Sequence, residues 1–375
     1  MFKFVRMATF SENVLSIPAK LVENIWNGFN TMANDSLSPR VLKRIGTHDG
    51  IFHCDEALAC FMLKQLPEYE DAEIIRTRDP NVLGTCDIVV DVGHIYDPKL
   101  KRFDHHQRDF EHTLSTIHPE MIKNKTITLS SAGLIYAHYG MEILSEIFKN
   151  IDFVATTECL KCLYLGVYDG FIEEIDAIDN GVPLVDGITP YKISTHLSAR
   201  VSKLNPAWNS TSQEKSDELF LKAMALTGRE FIEKVVELAT IWWPGREIVK
   251  TAILNRFNYH TSGEVIKLER RCPWQMHLLA LEKEMGIDGE IKFVIFEDAS
   301  GSWRIQAIPI APDSFICRLF LHLDWRGLRD EQLSKVANID GCIFVHSSGF
   351  IGGNNTEDGA LKMGIATIKA GFYPI

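Results

Sequence analysis

Three short runs in the first half of the chain read as strands, and each gives way to histidine and aspartate. Val41-Leu42-Lys43-Arg44-Ile45-Gly46 leads into Thr47-His48-Asp49. Cys86-Asp87-Ile88-Val89-Val90 leads into Asp91-Val92-Gly93, and Arg102-Phe103 leads into Asp104-His105-His106. Between the first two, Glu56 to Leu66 carries Ala57, Leu58, Phe61, Met62 and Leu66 on one broad helical face, stopped by Pro67. Ala72 to Arg76 reads as a further strand. Strand–helix–strand alternation predicts a parallel sheet with right-handed crossovers. Histidine and aspartate at neighbouring strand ends predict a metal site at the edge of that sheet.

Imidazole nitrogen combined with carboxylate oxygen suits Mn²⁺, Mg²⁺, Fe²⁺ or Zn²⁺. A pair of divalent ions about 3.5–4 Å apart needs several protein ligands, at least one of them bridging. The candidates are His48, His53, Asp55, Asp91, His105 and one of Asp176 or Asp179. Asp91 ends the central strand and is placed to bridge. His106 is left over, free to meet a substrate. Taken singly, a histidine is more often a hydrogen-bonded core or surface residue than a ligand, and Asp55 alone reads as the N-cap of the next helix, a role compatible with metal binding. Their grouping at successive strand ends is what points to metal.

Ser130 or Ser131 caps a helix reaching about Phe148. A longer helix is expected from Phe153 to Ile178, closed by Asn180-Gly181. At about 100° per residue, Asp169, Asp176 and Asp179 fall within an arc of about 80°, either a solvated face or one turned inward. A polar, turn-rich stretch from Asn205 to Ser216 marks a composition shift. The expected organisation is a lead-in over residues 1–40, a metal-binding domain over 41–200 and a smaller α+β domain over 201–375, with the active site in the cleft between the two. In the second domain, 247–254, 264–268, 291–296, 303–308 and 341–345 read as strands. Asp298-Ala299-Ser300-Gly301 reads as a hairpin turn and 357–369 as a helix. Gly349, Gly352 and Gly353, with His346, Asn354 and Asn355, read as a glycine-rich turn before that helix. It is either a plain turn or a loop whose backbone N–H groups approach phosphate or ribose. Arg200, Arg246 and Arg304 are candidate phosphate contacts, and Trp208, Trp242, Trp243 and Trp303 candidate base-stacking groups.

Composition narrows the function. Apolar residues make up 46% of the 375, which excludes global disorder. A net charge of −11 argues against general duplex binding, so any nucleic-acid contact has to be a local groove. The eight cysteines form no framework and read as thiols in a reducing compartment, the Cys159/Cys162 pair as helix core. No run of apolar residues is long enough to span a bilayer. Met1 to Arg6 is basic and apolar, and Leu15, Ala19, Val22 and Trp26 share a helical face. Glu12, Glu23 and Asp35 run against a transit peptide, so a mitochondrial signal and a plain lead-in both stay open.

Asp-His-His after a strand ending in Asp, preceded by a His/Asp motif, resembles the DHH phosphoesterase superfamily. The segments Gly46-Thr47-His48-Asp49-Gly50-Ile51-Phe52-His53-Cys54-Asp55-Glu56, Phe103-Asp104-His105-His106-Gln107, Ile175-Asp176-Ala177-Ile178-Asp179-Asn180-Gly181 and Gly349-Phe350-Ile351-Gly352-Gly353 more closely resemble the melanocyte-proliferating-gene (Myg) exonuclease family, from about Arg44 onward. The resemblance implies an α/β fold with a DHH-like, mostly parallel sheet flanked by helices and a C-terminal substrate domain. It implies a 3′→5′ RNA exonuclease of mitochondrion and nucleus that takes single-stranded RNA 3′ ends and uses two divalent ions, Mn²⁺ ahead of Mg²⁺. By analogy one ion takes His48, His53 and Asp91. The other takes Asp55, Asp91, His105 and a carboxylate from Asp176 or Asp179. His106 then contacts substrate, with Asp104 behind it orienting an imidazole. Arg200, Arg304, His346, Gly349, Gly352, Gly353 and Asn354 are the candidate substrate contacts. The chain departs from the superfamily at His53, where an aspartate is usual, and at the fourth motif. Two other readings stand beside this one: hydrolysis of small phosphates such as pyrophosphate, polyphosphate or short nucleotides, and a metal-bound RNA-binding or scaffold protein without turnover.

Overall fold

In a computed structural model of the chain, residues 42–371 are described, apart from 188, 190, 210–214 and 313. The targeting segment expected within residues 1–40 lies outside the described residues. The chain divides into two units, Met1–Ala239 and Thr240–Ile375. The division falls after the Ser216–Glu237 helix rather than at the composition shift near 200. That helix packs on the Cys54–Leu63 helix, and Phe220 meets Phe52 edge-on at 5.7 Å between ring centroids, so it belongs to the first unit's core.

The first unit is built on a five-stranded sheet of β1 (Arg44–Thr47), β2 (Glu73–Arg76), β3 (Ile88–Val90), β4 (Tyr96–Asp97) and β5 (Arg102–Phe103), in the order β2-β1-β3-β5-β4. β1 runs parallel to β2 and β3, and β3 parallel to β5; β4 is antiparallel to β5. The expected mostly parallel sheet is present, and β4 is too short to leave a pattern in the sequence. The parallel pairing sets Thr47, Val90 and Phe103 at one edge, so the residues that follow each strand emerge side by side.

Helices cover this sheet. Every residue of Cys54–Leu63 is buried, Asp55 and Glu56 included, which makes it a core helix rather than a surface helix with one apolar face. It packs against both Ser131–Asn150 and Ser216–Glu237. The long helix expected from Phe153 is instead Thr157–Val167, a π-helical turn at Tyr168–Ile172, and Glu173–Asp179. Thr156 starts the first piece by accepting the Cys159 N–H at 3.2 Å, and Gly181 closes the last at φ 67°.

The second unit holds β6 (Val265–Lys267), β7 (Phe293–Glu297), β8 (Trp303–Ala307), β9 (Cys342–Val345) and β10 (Ile351–Asn354), in the order β6-β7-β8-β10-β9. The hairpin joining β7 to β8 falls where the Asp298–Gly301 turn predicts it. Residues 247–254 form a helix, Gly245–Leu254, and not the expected strand: Val249, Ala252 and Ile253 bury at helical spacing. Alternate strand residues face opposite layers. Val265, Phe293, Ile295 and Ile305 pack with Leu333, Ala360 and Met363. Ile266, Val294 and Phe296 pack with Val249, Trp274 and Leu278. Among the described residues, no helix is long and apolar enough to cross a membrane.

The crossing of Cys54–Leu63 with Ser216–Glu237 depends on Gly228, because a Cβ there would run into the Phe61 ring. Overpacking of this kind costs about 1–3 kcal/mol. Gly228→Ala is therefore expected to lower unfolding free energy by about that amount in urea titration, whereas Gly166→Ala, with only the Leu238 methyls at 3.4 Å or beyond, should change it little.

Candidate metal centre

The strand ends bring His48, Asp91 and His105 together. Asp91 sits in the left-handed region at φ 58°, a conformation costly for a non-glycine residue and concentrated at functional sites. It presents one oxygen to each side: His48 Nε2 lies 3.3 Å from Oδ2, and His105 Nε2 lies 3.3 Å from Oδ1. His48 Nε2 also lies 3.1 Å from Glu56 Oε1, and His105 Nε2 lies 3.2 Å from Asp179 Oδ2. Three sets of potential ligand atoms each fall within 4.8 Å: His48, His53, Glu56 and Asp91; Asp91, His105 and His106; His53, Asp55 and Asp179.

These residues fit a pair of cations. Asp55 Oδ1 and His105 Nε2 are buried with no hydrogen-bond partner among the described residues, the second with two carboxylate oxygens at 3.2–3.3 Å. Burial, with Asp91, Asp179 and Glu56 close by, drives the Asp55 carboxyl well above the usual carboxylate range. Burial pulls the His48 imidazole down, but hydrogen bonds to Asp91 and Glu56 outweigh it and raise it to about 10. His105 behaves alike: burial lowers it, Asp179 and Asp91 raise it, and it too reaches about 10. So many buried carboxylates in one place call for positive charge. Part of it comes from the Ser131–Asn150 helix, whose N-terminus points into the cluster. Ser131 N donates to Asp55 Oδ2 at 3.3 Å, and Ser131 Oγ to Asp91 Oδ1 at 3.1 Å.

The geometry separates the two aspartates that the helical arc leaves equivalent. Asp176 is fully buried and accepts from Ser130 N at 3.0 Å, Ser130 Oγ at 2.7 Å and Tyr168 OH at 3.3 Å. Burial raises it to about 7, against the pull of those bonds. It ties two helices together, and Asp179 alone of the pair reaches His105. Asp55 is not the cap of its helix. His53 holds that position, and its N–H donates to both Glu56 oxygens at 2.8 and 3.0 Å. Asp104 lies behind the cluster: Oδ1 accepts His106 Nδ1 at 2.7 Å and Oδ2 accepts His94 N at 2.6 Å. His106 is half exposed, and with Nδ1 engaged its Nε2 is left for whatever enters the adjoining cavity of about 480 Å³, lined also by His53, Gln107, Asp179, Asn180 and Ser198.

Glu56, Ser131 and Asn205 are missing from the candidates drawn from sequence. Glu56 had one signal, its position three residues after the helix cap. Asn205 had none. Its side-chain amide pairs with both backbone groups of Phe52, accepting N–H at 3.0 Å and donating to C=O at 2.8 Å, and so holds the loop between His48 and His53. Arg76 grips the same loop through Gly50 O at 2.8 Å, its guanidinium over Phe52 and Phe220.

The candidate substrate residues fall in different elements of the two units. Arg200 is ion-paired to Glu230 in the first unit. Arg304 is ion-paired to Asp298 in the second. His346 and Gly349 share a turn on which His346 is exposed and Gly349 buried, Gly349 at φ 79° and His346 Nδ1 2.8 Å from Ser348 Oγ. Gly352 and Gly353 are not in that turn but in β10, where a missing Cβ lets Leu321, Met363 and Phe344 close over the strand. Asn354, expected to touch substrate, is fully buried; its Oδ1 accepts Thr356 N at 2.9 Å and its Nδ2 donates to Asp340 O at 2.9 Å. Trp208 stands fully in solvent.

A family model for MYG1 exonucleases, described as an uncharacterised protein family (UPF0160), matches residues 44–368. The human protein named MYG1 exonuclease is 48% identical over 332 residues, 88% of this chain and 87% of its own length. The bovine MYG1 exonuclease is 48% identical over 327 residues, 87% and 84%. A MYG1 protein of Saccharomyces cerevisiae is 40% identical over 342 residues, 89% and 98%. No solved structure matches the chain significantly.

The two aspartates predict opposite phenotypes. Asp176→Ala strands three buried donors and should cost about 2–3 kcal/mol of stability. Asp179→Asn should leave urea unfolding of the metal-free chain within about 0.5 kcal/mol of wild type. It should instead shrink the rise in Tm that Mn²⁺ produces, a rise worth about 2.7 kcal/mol at a hundredfold excess over Kd. Thermal melts with and without Mn²⁺ separate the two.

Proposed function

The chain belongs to the MYG1 exonuclease family, and on that footing we propose that it hydrolyses phosphodiester bonds at single-stranded RNA 3′ ends, releasing nucleoside 5′-monophosphates with two divalent ions. The observation that carries this reading is the shared carboxylate of Asp91, one oxygen toward His48 and the other toward His105. On the first side His53 and Glu56 complete a ligand set, and on the second Asp179 Oδ2 and Asp55 Oδ2 lie 3.2 and 3.9 Å from His105 Nε2. The imidazole-rich first set favours Mn²⁺ over Mg²⁺. Asp-His-His placed directly after β5 supports descent from the DHH phosphoesterases. Action in mitochondrion and nucleus is proposed on the Myg resemblance alone.

When bound, the ions would neutralise the anionic phosphodiester and lower the pKa of water toward neutral. The chain's own residues do the rest. Asp91 fixes the spacing of the two ligand sets. Asp104 holds His106 by Nδ1, so that Nε2 can hydrogen-bond a phosphoryl oxygen or give a proton to the departing 3′ oxygen. Gln107, donating Nε2 to Asp104 O at 3.0 Å, braces the same turn.

The net charge of −11 favours a second reading, hydrolysis of small phosphates. One experiment addresses both. With Mn²⁺, the full chain should shorten a 5′-labelled oligoribonucleotide from its 3′ end, releasing 5′-mononucleotides, and should release little phosphate from pyrophosphate. Asp91→Asn should slow mononucleotide release by about 10³-fold, and His106→Ala should lower kcat by about 10²–10³-fold with a smaller change in KM. No nucleotide release with any divalent ion would remove the RNA reading. Phosphate release from pyrophosphate in its place would establish the second. Full activity in both variants would show that the centre is not where catalysis occurs.

A further inference from the structure

The second unit contains a cavity of about 550 Å³ between the Gln275–Met285 helix and the sheet. Its floor is the open side of β8, where Arg304 and Gln306 alternate with the core residues Ile305 and Ala307. Its walls are Trp242, Phe296 and Met276, with Arg271 among the lining residues. The chemistry of these groups is specific. The Trp242 indole is backed by the His277 ring, centroids 4.1 Å apart, which fixes its plane. Arg304 is immobilised by its ion pair with Asp298 and a 2.9 Å hydrogen bond to Ser302 Oγ. The Gln306 amide has no hydrogen-bond partner among the described residues, and Arg271 has no ion-pair partner among them; neighbouring Arg270 likewise has none. In a chain of net charge −11, two adjacent arginines with no ion-pair partner among the described residues stand here, and Arg271 of the two lines the cavity.

We propose that this cavity binds an unpaired base of the RNA strand and the phosphate attached to it. A fixed aromatic plane takes the face of a base, an unspent amide takes its polar edge, and a free guanidinium takes the phosphate. The choice of RNA as occupant rests on the exonuclease reading above. The cavity lies in the second unit and shares no residue with the Asp91 centre or with the His346–Gly349 turn. It serves to hold the body of the strand, so it matters for oligonucleotides and not for dinucleotides.

The test uses the full chain treated with EDTA, so that nothing is hydrolysed, and a fluorescein-labelled oligoadenylate titrated at several salt concentrations. Arg271→Glu is expected to weaken binding about tenfold and to lower the log–log salt slope by about one. Gln306→Ala should weaken binding about threefold to tenfold with the slope unchanged. Both should keep the wild-type melting curve, and both should cleave a diribonucleotide at the wild-type rate once Mn²⁺ is restored. Wild-type oligoadenylate affinity in both variants would overturn the proposal. Weakened binding in both variants, with no mononucleotide released by wild type on adding Mn²⁺, would support the cavity and remove the exonuclease reading. Mononucleotide release by wild type with normal binding in both variants would do the reverse.

Discussion

Asp91 is the residue on which the first unit turns. A parallel sheet delivers several strand ends to one edge, but it does not decide where their side chains point. Here the decision is made by a left-handed aspartate at the end of β3, whose two oxygens reach histidines from β1 on one side and from β5 on the other. The backbone strain at that position is offset by what surrounds it. Asp91 N donates to Phe103 O at 3.1 Å, and Ser131 Oγ donates to its side chain. The buried Cys54–Leu63 helix supplies Asp55 and Glu56 from its first turn, and the Ser131–Asn150 helix turns its positive end toward the same spot. Sheet, two helices and the candidate ligands thus answer to one carboxylate.

Much of this was legible in the sequence, because strand ends and clustered histidines and aspartates both leave local marks. His48, His53, Asp55, Asp91 and His105 could be chosen from the apolar runs beside them, and all five fall in the cluster. Long-range partners leave no such mark. Asp176 and Asp179 share a helical arc, and only the serine that begins a helix many residues earlier shows which one is committed to structure. Asn205 lies in a polar stretch that reads as a linker, yet its amide completes the loop between two histidines. Residues 247–254 misled because β-branched residues in a short apolar run suit a strand as well as a helix. Gly352-Gly353 misled because paired glycines suggest a turn, whereas in β10 they make room for neighbouring side chains.

The second unit shows a different economy. Its sheet is covered by helices on both faces at the β6–β7 side, and β8 carries polar residues where cover is incomplete. The alternation of Ile305 and Ala307 with Arg304 and Gln306 separates a packed face from an open one. What the alternation could not show is that a tryptophan and an arginine from outside the strand complete the open side.

The Asn205–Phe52 pairing joins residues 153 positions apart. Bringing such distant points together has an entropic cost that must be met before any local contact rewards it. The loop between His48 and His53 therefore takes its final shape only after more than half of the chain has left the ribosome and the Ser216–Glu237 helix can dock. Nascent chains shorter than this would carry every histidine of the centre without the frame that aligns them. Alignment of the cluster is on this account a late event in the maturation of the protein, coupled to closure of the first unit rather than to synthesis of its histidines.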